Sequence, residues 1–374
     1  MEIAIIGGGI TGLTTALALH KLGFKATVYE RASELNEIGA GIWLQPNAMK
    51  ICEWLGIKNQ IVSAGNKIDK MEIAYPTLIP IREIKQEVVQ DEFGNQTIAI
   101  HRGKLQSILY EEFQKVGEIE LGMEYLSQEA VNGKTKIHFT DRIVEADLVF
   151  GTDGINSKVR HQLFGDTVLR DSQQICYRGI SDYSLPTHLV GKGKELWGKK
   201  IRFGFSNISA TQVYWFAVAD KNKYSADIAK QDLMGLYKGF DPLVTDLIKN
   251  TSTWNAGILK DLQRIPTWHH GQTCLLGDAA HATTPNMGQG ACQGIEDAYY
   301  ISNILARSQN PQEAFKTFEF ERREKVDRIV NTSWSFGKMA HNPFAQSMLK
   351  LIMKISPQSV MTKQMNMIYA VKEY

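Results

Sequence analysis

Apolar residues fill the stretch from Ile3 to Ile6, a pattern that predicts a short buried strand over Glu2 to Ile6. Ile10 to Leu22 then carries small and apolar residues at helical spacing, and Lys25 to Glu30 reads as a second strand, so the chain opens on a βαβ unit. From about Met71 to Ile100 apolar and polar residues alternate, as in Met71-Glu72-Ile73-Ala74-Tyr75, with breaks at Pro76, Pro80 and Gly94-Asn95, which predicts antiparallel strands. Leu105, Ile108, Leu109 and Phe113 recur every three to four residues and predict a helix from Gly103 to Lys115, followed by strands at Lys136–Phe139 and Ala146–Phe150. From Leu169 to Pro266 the pattern is mostly β, including Lys200–Phe205 and Gln212–Ala219, with one helical stretch near Ala226–Tyr237. An apolar strand returns at Thr273–Gly277. Beyond it the chain reads as helices, with Asn310-Pro311 as a start and Phe315, Phe318, Val326, Ile329, Val330 and Trp334 as an apolar face.

Nucleotide-type segments are therefore split by two β-rich insertions. The division expected is one nucleotide domain from 1–70, 101–168 and 267–310, one sheet-built substrate domain from 71–100 and 169–266, and a helical segment over 311–374. A chain of 374 residues with 43% hydrophobic residues can bury a large core, which excludes a small stapled scaffold. Its 42 basic and 40 acidic side chains give no nucleic-acid surface. Cys52, Cys176, Cys274 and Cys292 are far apart, so neither a disulfide framework nor a metal site is expected. No apolar run approaches the roughly 18 residues of a membrane span, and no basic leader precedes the first strand, so a cytoplasmic protein is expected. A monomer and a homodimer both remain open.

Gly7-Gly8-Gly9-Ile10-Thr11-Gly12 satisfies GxGxxG between the first strand and its helix, and Glu30, with Arg31 beside it, ends the second strand 18 residues past Gly12. Gly7 permits the tight turn, Gly9 admits a pyrophosphate to the helix N-terminus, Gly12 lets helix and strand pack closely, and Glu30 can accept from both ribose hydroxyls. The motif alone does not separate NAD from FAD.

Two further apolar strands end in acidic turns. Leu148 to Gly151 runs into Thr152-Asp153-Gly154, and Thr273 to Leu276 runs into Gly277-Asp278-Ala279-Ala280-His281, followed by Pro285, Gly288-Gln289-Gly290-Ala291 and a helix to about Leu305. A simple dehydrogenase needs neither. In this order the three segments resemble the group A, single-component FAD-dependent aromatic hydroxylases, a family that includes FAD-dependent urate hydroxylase, salicylate hydroxylase and zeaxanthin epoxidase. The resemblance implies an α/β fold: a Rossmann-like FAD-binding domain of the GR2 type with an inserted antiparallel-sheet substrate domain and C-terminal helices.

It further implies non-covalent FAD, NAD(P)H as co-substrate, and O2 with a small-molecule substrate. Gly7, Gly9, Thr11, Gly12, Glu30 and Arg31 would hold the ADP half and Asp278 the ribityl chain, while Asp153 would border both FAD and the NAD(P)H path. His101-Arg102-Gly103-Lys104-Leu105 resembles a family segment whose arginine approaches the FAD phosphates. Gly39-Ala40-Gly41-Ile42-Trp43 resembles the loop over the flavin, with backbone contacts at Trp43 and, near the adenine, at Tyr125. The run from Pro285 through Gly288, Gln289, Gly290 and Ala291 would supply helix-start amides to the negative charge that reduced flavin carries at N1 and the C2 carbonyl.

By the same resemblance, the enzyme would hydroxylate or epoxidise an electron-rich, aromatic or heteroaromatic substrate through a flavin C4a-hydroperoxide shielded from water. Arg178, in Tyr177-Arg178-Gly179-Ile180, and Tyr214, in Val213-Tyr214-Trp215-Phe216, are the candidate catalytic residues; a structural ion pair and plain packing are the alternatives. In urate hydroxylase an arginine accompanies the tyrosine on this sheet, and here its place falls near Lys200, which argues against urate. His281 reads as a packed residue under the flavin loop, and His269 and His270 as solvated. Two competing readings share the nucleotide segments: an FAD-dependent reductase of isoprenoid double bonds, and a flavin-binding protein without oxygenase activity.

Overall fold

The computed structural model describes residues 1–35, 40–85, 89–90 and 93–374, apart from the side chains of 358, 359, 361 and 362. Gly39, expected in the flavin loop, and parts of the expected 71–100 insertion lie outside the described residues.

A six-stranded sheet holds the nucleotide domain. Its order is His269–His270, Thr273–Leu275, Leu148–Gly151, Glu2–Ile6, Lys25–Glu30, Glu118–Leu121, parallel throughout except for the first pair. Because both faces are covered, the central strands are continuous apolar runs and do not alternate. Ile3, Ile5, Val149, Phe150 and Leu275 are buried with the helices Ile10–Lys21 and Gly290–Arg307 in the largest core. The glycine turn and the two acidic turns each leave the C-terminal end of a strand, so all three arrive on one edge of the sheet.

The inserted pieces build a seven-stranded sheet: Trp254–Leu262, Leu169–Asp182, Gln212–Asp220, Arg202–Asn207, Lys192–Trp197, Lys70–Ala74, Pro80–Lys85. Period-two alternation divides it. Val213, Trp215, Ala217 and Ala219 enter a core with the helices Lys230–Leu236 and Pro242–Lys249. Tyr214, Phe216 and Val218 face the other way, toward the nucleotide domain.

Three details differ from the expectation. The inserted pieces join through a parallel pair, Lys192–Trp197 with Lys70–Ala74, so the sheet is mixed. Ile98–His101 does not belong to it, but pairs with Gly41–Leu44 and Asn66–Lys67 in a sheet of its own. The helix Pro242–Lys249, absent from the sequence reading, starts where the Asp241 carboxylate accepts from the Leu243 amide and buries Leu243, Val244, Leu247 and Ile248. At the C-terminal end, Pro311–His341 begins at Pro311 with the Asn310 side chain as its cap.

Candidate active site

The pyrophosphate turn has the form its sequence demands. Gly7 adopts φ +109°, and a Cβ there would press on the Thr152 carbonyl at 2.7 Å. The Glu30 carboxylate accepts from the amides of Gly8 at 2.7 Å and Ala32 at 2.9 Å. A carboxylate offers about four acceptor directions, so two remain for ribose hydroxyls. Space in front of Gly9 is open, and the helix that starts there has no side-chain cap, which leaves first-turn amides for an anion. The Thr11 side chain packs between Gly277 and Gly294, locking this helix to the two other flavin-side elements. Arg31 is exposed, and Tyr125 is buried with its hydroxyl on Gln162, two residues beyond the Gly122 and Met123 amides that bond the carbonyls of Ala32 and Glu30.

Asp278 is solvent-exposed, yet burial is the largest influence on it and raises its pKa, against His281, Arg102 and Arg160, which lower it. The carboxylate is thus open to water yet crowded by protein. Arg102, also exposed, is close enough to act on the Asp278 carboxylate. Pro285 and Gly288 are exposed on the next turn, Gly288 is left-handed at φ +63°, and the helix Gly290–Arg307 again lacks a side-chain cap. Its free first-turn amides at Gly290 and Ala291 suit a developing negative charge. Gln289, by contrast, is fully buried, and its side chain bonds Gln45, Asn47 and Gln293. Only its backbone remains available.

Asp153 serves a helix. Its carboxylate accepts from Ser157 Oγ at 2.5 Å and the Val159 amide at 3.1 Å, while desolvation raises its pKa against these bonds. Arg160, given no role from the sequence, donates to the carbonyls of Ile155 at 2.7 Å and Ala279 at 3.0 Å and clamps the two acidic turns together.

Beneath the Gly288–Gln289 turn lies a buried ionic network that sequence reasoning missed. Arg322 pairs with Glu296 at 2.6 Å and Asp297 at 2.9 Å; Lys325 also holds Glu296, and His281 and the Gly277 amide hold Asp297. Asn47 and Gln293 extend it to Gln289, whose partner Gln45 donates to the Gly288 carbonyl. Burial by itself would raise Asp297, but His281 and Arg322 beside it hold it below its ordinary range. Adjacent acids at Glu296-Asp297 within an otherwise buried helix were the available signal.

On the inner face of the sheet, Arg178 pairs in register with Phe216, and Tyr214 stands two residues away on the same side. The Tyr214 ring lies so close over Gly41 that any Cβ there would overlap it, which places the phenol against the strand expected to cover the flavin. Burial raises the Tyr214 pKa although Arg178 beside it opposes this, and Cys176 and Tyr214 nearby keep Arg178 raised. The result is a neutral phenol next to a guanidinium, two donors side by side. Trp43 joins the domains through its side chain, with its indole N–H on Ser206 Oγ at 2.9 Å and its ring over Gly193. Lys200 is exposed in a turn; two residues on, Arg202 stands on the inner face as well, bonded to Glu195, Gln174 and Asn286.

The family model described as FAD binding domain matches residues 1–333. The chain belongs to that family. It is 34% identical over 355 residues to aurachin C monooxygenase/isomerase of Stigmatella aurantiaca, covering 92% of this chain and 91% of the relative. Against 3-hydroxybenzoate 6-hydroxylase of Polaromonas naphthalenivorans identity is 30% over 365 residues, covering 94% and 90%. Among solved structures, Klebsiella pneumoniae HpxO complexed with FAD and uric acid superposes with a TM-score of 0.89 at 22% identity, covering 98% of this chain and 96% of that one. That likeness carries the fold, and the family carries FAD as the cofactor.

Proposed function

We propose that this chain is a single-component FAD-dependent monooxygenase that takes reducing equivalents from NAD(P)H and hydroxylates a small, electron-rich aromatic or heteroaromatic compound. The observation that carries the substrate side is the placement of Arg178 and Tyr214 on one face of the sheet, with the Tyr214 ring pressed against the Gly41 strand. When bound, FAD supplies hydride acceptance and oxygen activation. Glu30 takes the ribose, the uncapped helix starts at Gly9 and Gly290 take the pyrophosphate and the flavin's negative edge, and Asp278 takes the ribityl hydroxyls.

Two donors favour a substrate with a ring oxygen that is anionic or a carbonyl, which they orient while feeding density into the ring. Trp43 and the Tyr214–Gly41 contact close the space between the domains and keep water out. The two relatives support this reading as oxygenases, one of them acting on a hydroxylated benzoate. Its test is a panel of hydroxylated aromatic and heteroaromatic compounds scored for stimulated NAD(P)H oxidation and for a product heavier by one oxygen. If neither NADH nor NADPH bleaches the flavin with any compound, the reading fails.

A further inference from the structure

We propose that the helix Pro343–Ile355 docks the protein on an anionic lipid bilayer, lying in the plane of its surface. Phe344, Met348, Leu351, Ile352 and Ile355 follow the i, i+4, i+7, i+8, i+11 spacing that makes one apolar stripe. On an ordinary surface helix that stripe faces the core. Here it faces solvent, with exposures from 47% at Ile352 to 78% at Phe344. The helix is seated by its polar side instead: Gln346, buried, donates to the carbonyls of Gly198 at 3.0 Å and Ala340 at 2.7 Å, and Lys350 and Lys354 lie over the Tyr75 ring. Ile79, on the turn beside Tyr75, is exposed as well. A contiguous apolar patch of this kind marks an interaction surface.

Charge decides the occupant. From Lys338 to Lys372 the chain has five lysines and no Asp or Glu, although acids and bases are nearly equal over the whole sequence. Lys354 and Lys363 are exposed, as are Lys199 and Lys200 around the Gly198 turn that Gln346 grips. A two-fold contact with a second copy would set these lysines against one another, whereas an anionic headgroup layer neutralises them. At 13 residues the helix is too short to span, and no helix among the described residues is long and apolar enough to cross a membrane. An apolar face with basic flanks is the composition of a helix that rests at the headgroup boundary. Because it packs on Pro80–Lys85, the edge strand of the seven-stranded sheet, docking would bring that edge to the bilayer.

The test is flotation of the full-length, FAD-loaded protein with phosphatidylcholine vesicles that contain or lack phosphatidylglycerol, without substrate or NAD(P)H. Its outcome is therefore independent of the oxygenase reading. Binding is expected to the anionic vesicles only and to weaken with salt. Leu351→Ser/Ile355→Ser should cut partitioning by more than about tenfold, and Lys354→Glu by roughly fivefold or more. All three sites are exposed, so circular dichroism and FAD content should match the parent. The proposal is overturned if the parent stays off anionic vesicles, or if the variants float equally well. It is also overturned if sedimentation finds a dimer that Leu351→Ser/Ile355→Ser dissociates.

Discussion

Replacing Arg322→Met removes a guanidinium that is fully buried and keeps an apolar stem in its place. Lost with it are ion pairs at 2.6 Å to Glu296 and 2.9 Å to Asp297, a bond of 2.7 Å to Gln293, and stacking on Tyr300. Both carboxylates stay at 0% side-chain exposure, but neither is abandoned: Lys325 and Asn47 still serve Glu296, and His281 and the Gly277 amide still serve Asp297. Two carboxylates then face one lysine instead of a lysine and an arginine. Breaking a buried pair costs about 3–5 kcal/mol, and the surviving partners place this case at about 3–4 kcal/mol. At about 2 °C per kcal/mol for a large chain, Tm should fall by about 6–8 °C. Gln293, which bonds Gln289, loses one of its anchors too, so the Gly288 turn loosens and FAD affinity should drop with stability. Thermal unfolding followed by near-UV circular dichroism, beside FAD titration, reads both, and Arg322→Lys should fall between variant and parent. A Tm within about 2 °C of the parent and unchanged FAD affinity would refute the claim that this network holds the Gly288 turn.

Asp278→Ala should weaken FAD binding by roughly 10- to 150-fold, the equivalent of about 1.5–3 kcal/mol for a lost charged hydrogen bond, while unfolding of the FAD-free protein changes little; equal affinity by titration contradicts the placement. Tyr214→Phe and Arg178→Ala should leave FAD binding nearly unchanged but lower product formed per NAD(P)H and raise peroxide release, and parental coupling in both would make these residues structural. Burial, with Arg202 and Lys200 nearby, pushes His341 down to about 4. Its unfolded value is about 6.5, so the folded chain binds fewer protons between the two, and stability is full above about 6.5 and declines as pH falls toward 4. His341→Leu should flatten that decline in a Tm-against-pH series, and an unchanged slope assigns it to other groups.

The nucleotide side was legible because each of its tasks needs a rare residue at a fixed place in a strand–turn–helix: glycine at 7 and 12, an acid at 30, Gly277-Asp278 after an apolar strand. Local pattern also found the Asn310-Pro311 helix start. It missed Pro242–Lys249, whose eight residues are too few to show a helical period amid β-like sequence, although Asp241-Pro242 is a start signal. It placed Ile98–His101 in the wrong sheet, because alternation reveals a strand but not its partner. The ionic network was hidden for another reason: Asn47, Asp297 and Arg322 meet only through tertiary packing. Likewise the offset between Lys200 and Arg202 depends on a turn in which Lys200 takes φ +61°, shifting which residue reaches the inner face.

The most direct test of the oxygenase account is a turnover under 18O2 in ordinary water, with a substrate found by the panel screen. Mass spectrometry should find one 18O atom in the product for each coupled NAD(P)H. A product with no label, or one reduced without added oxygen in anaerobic buffer, would contradict the account.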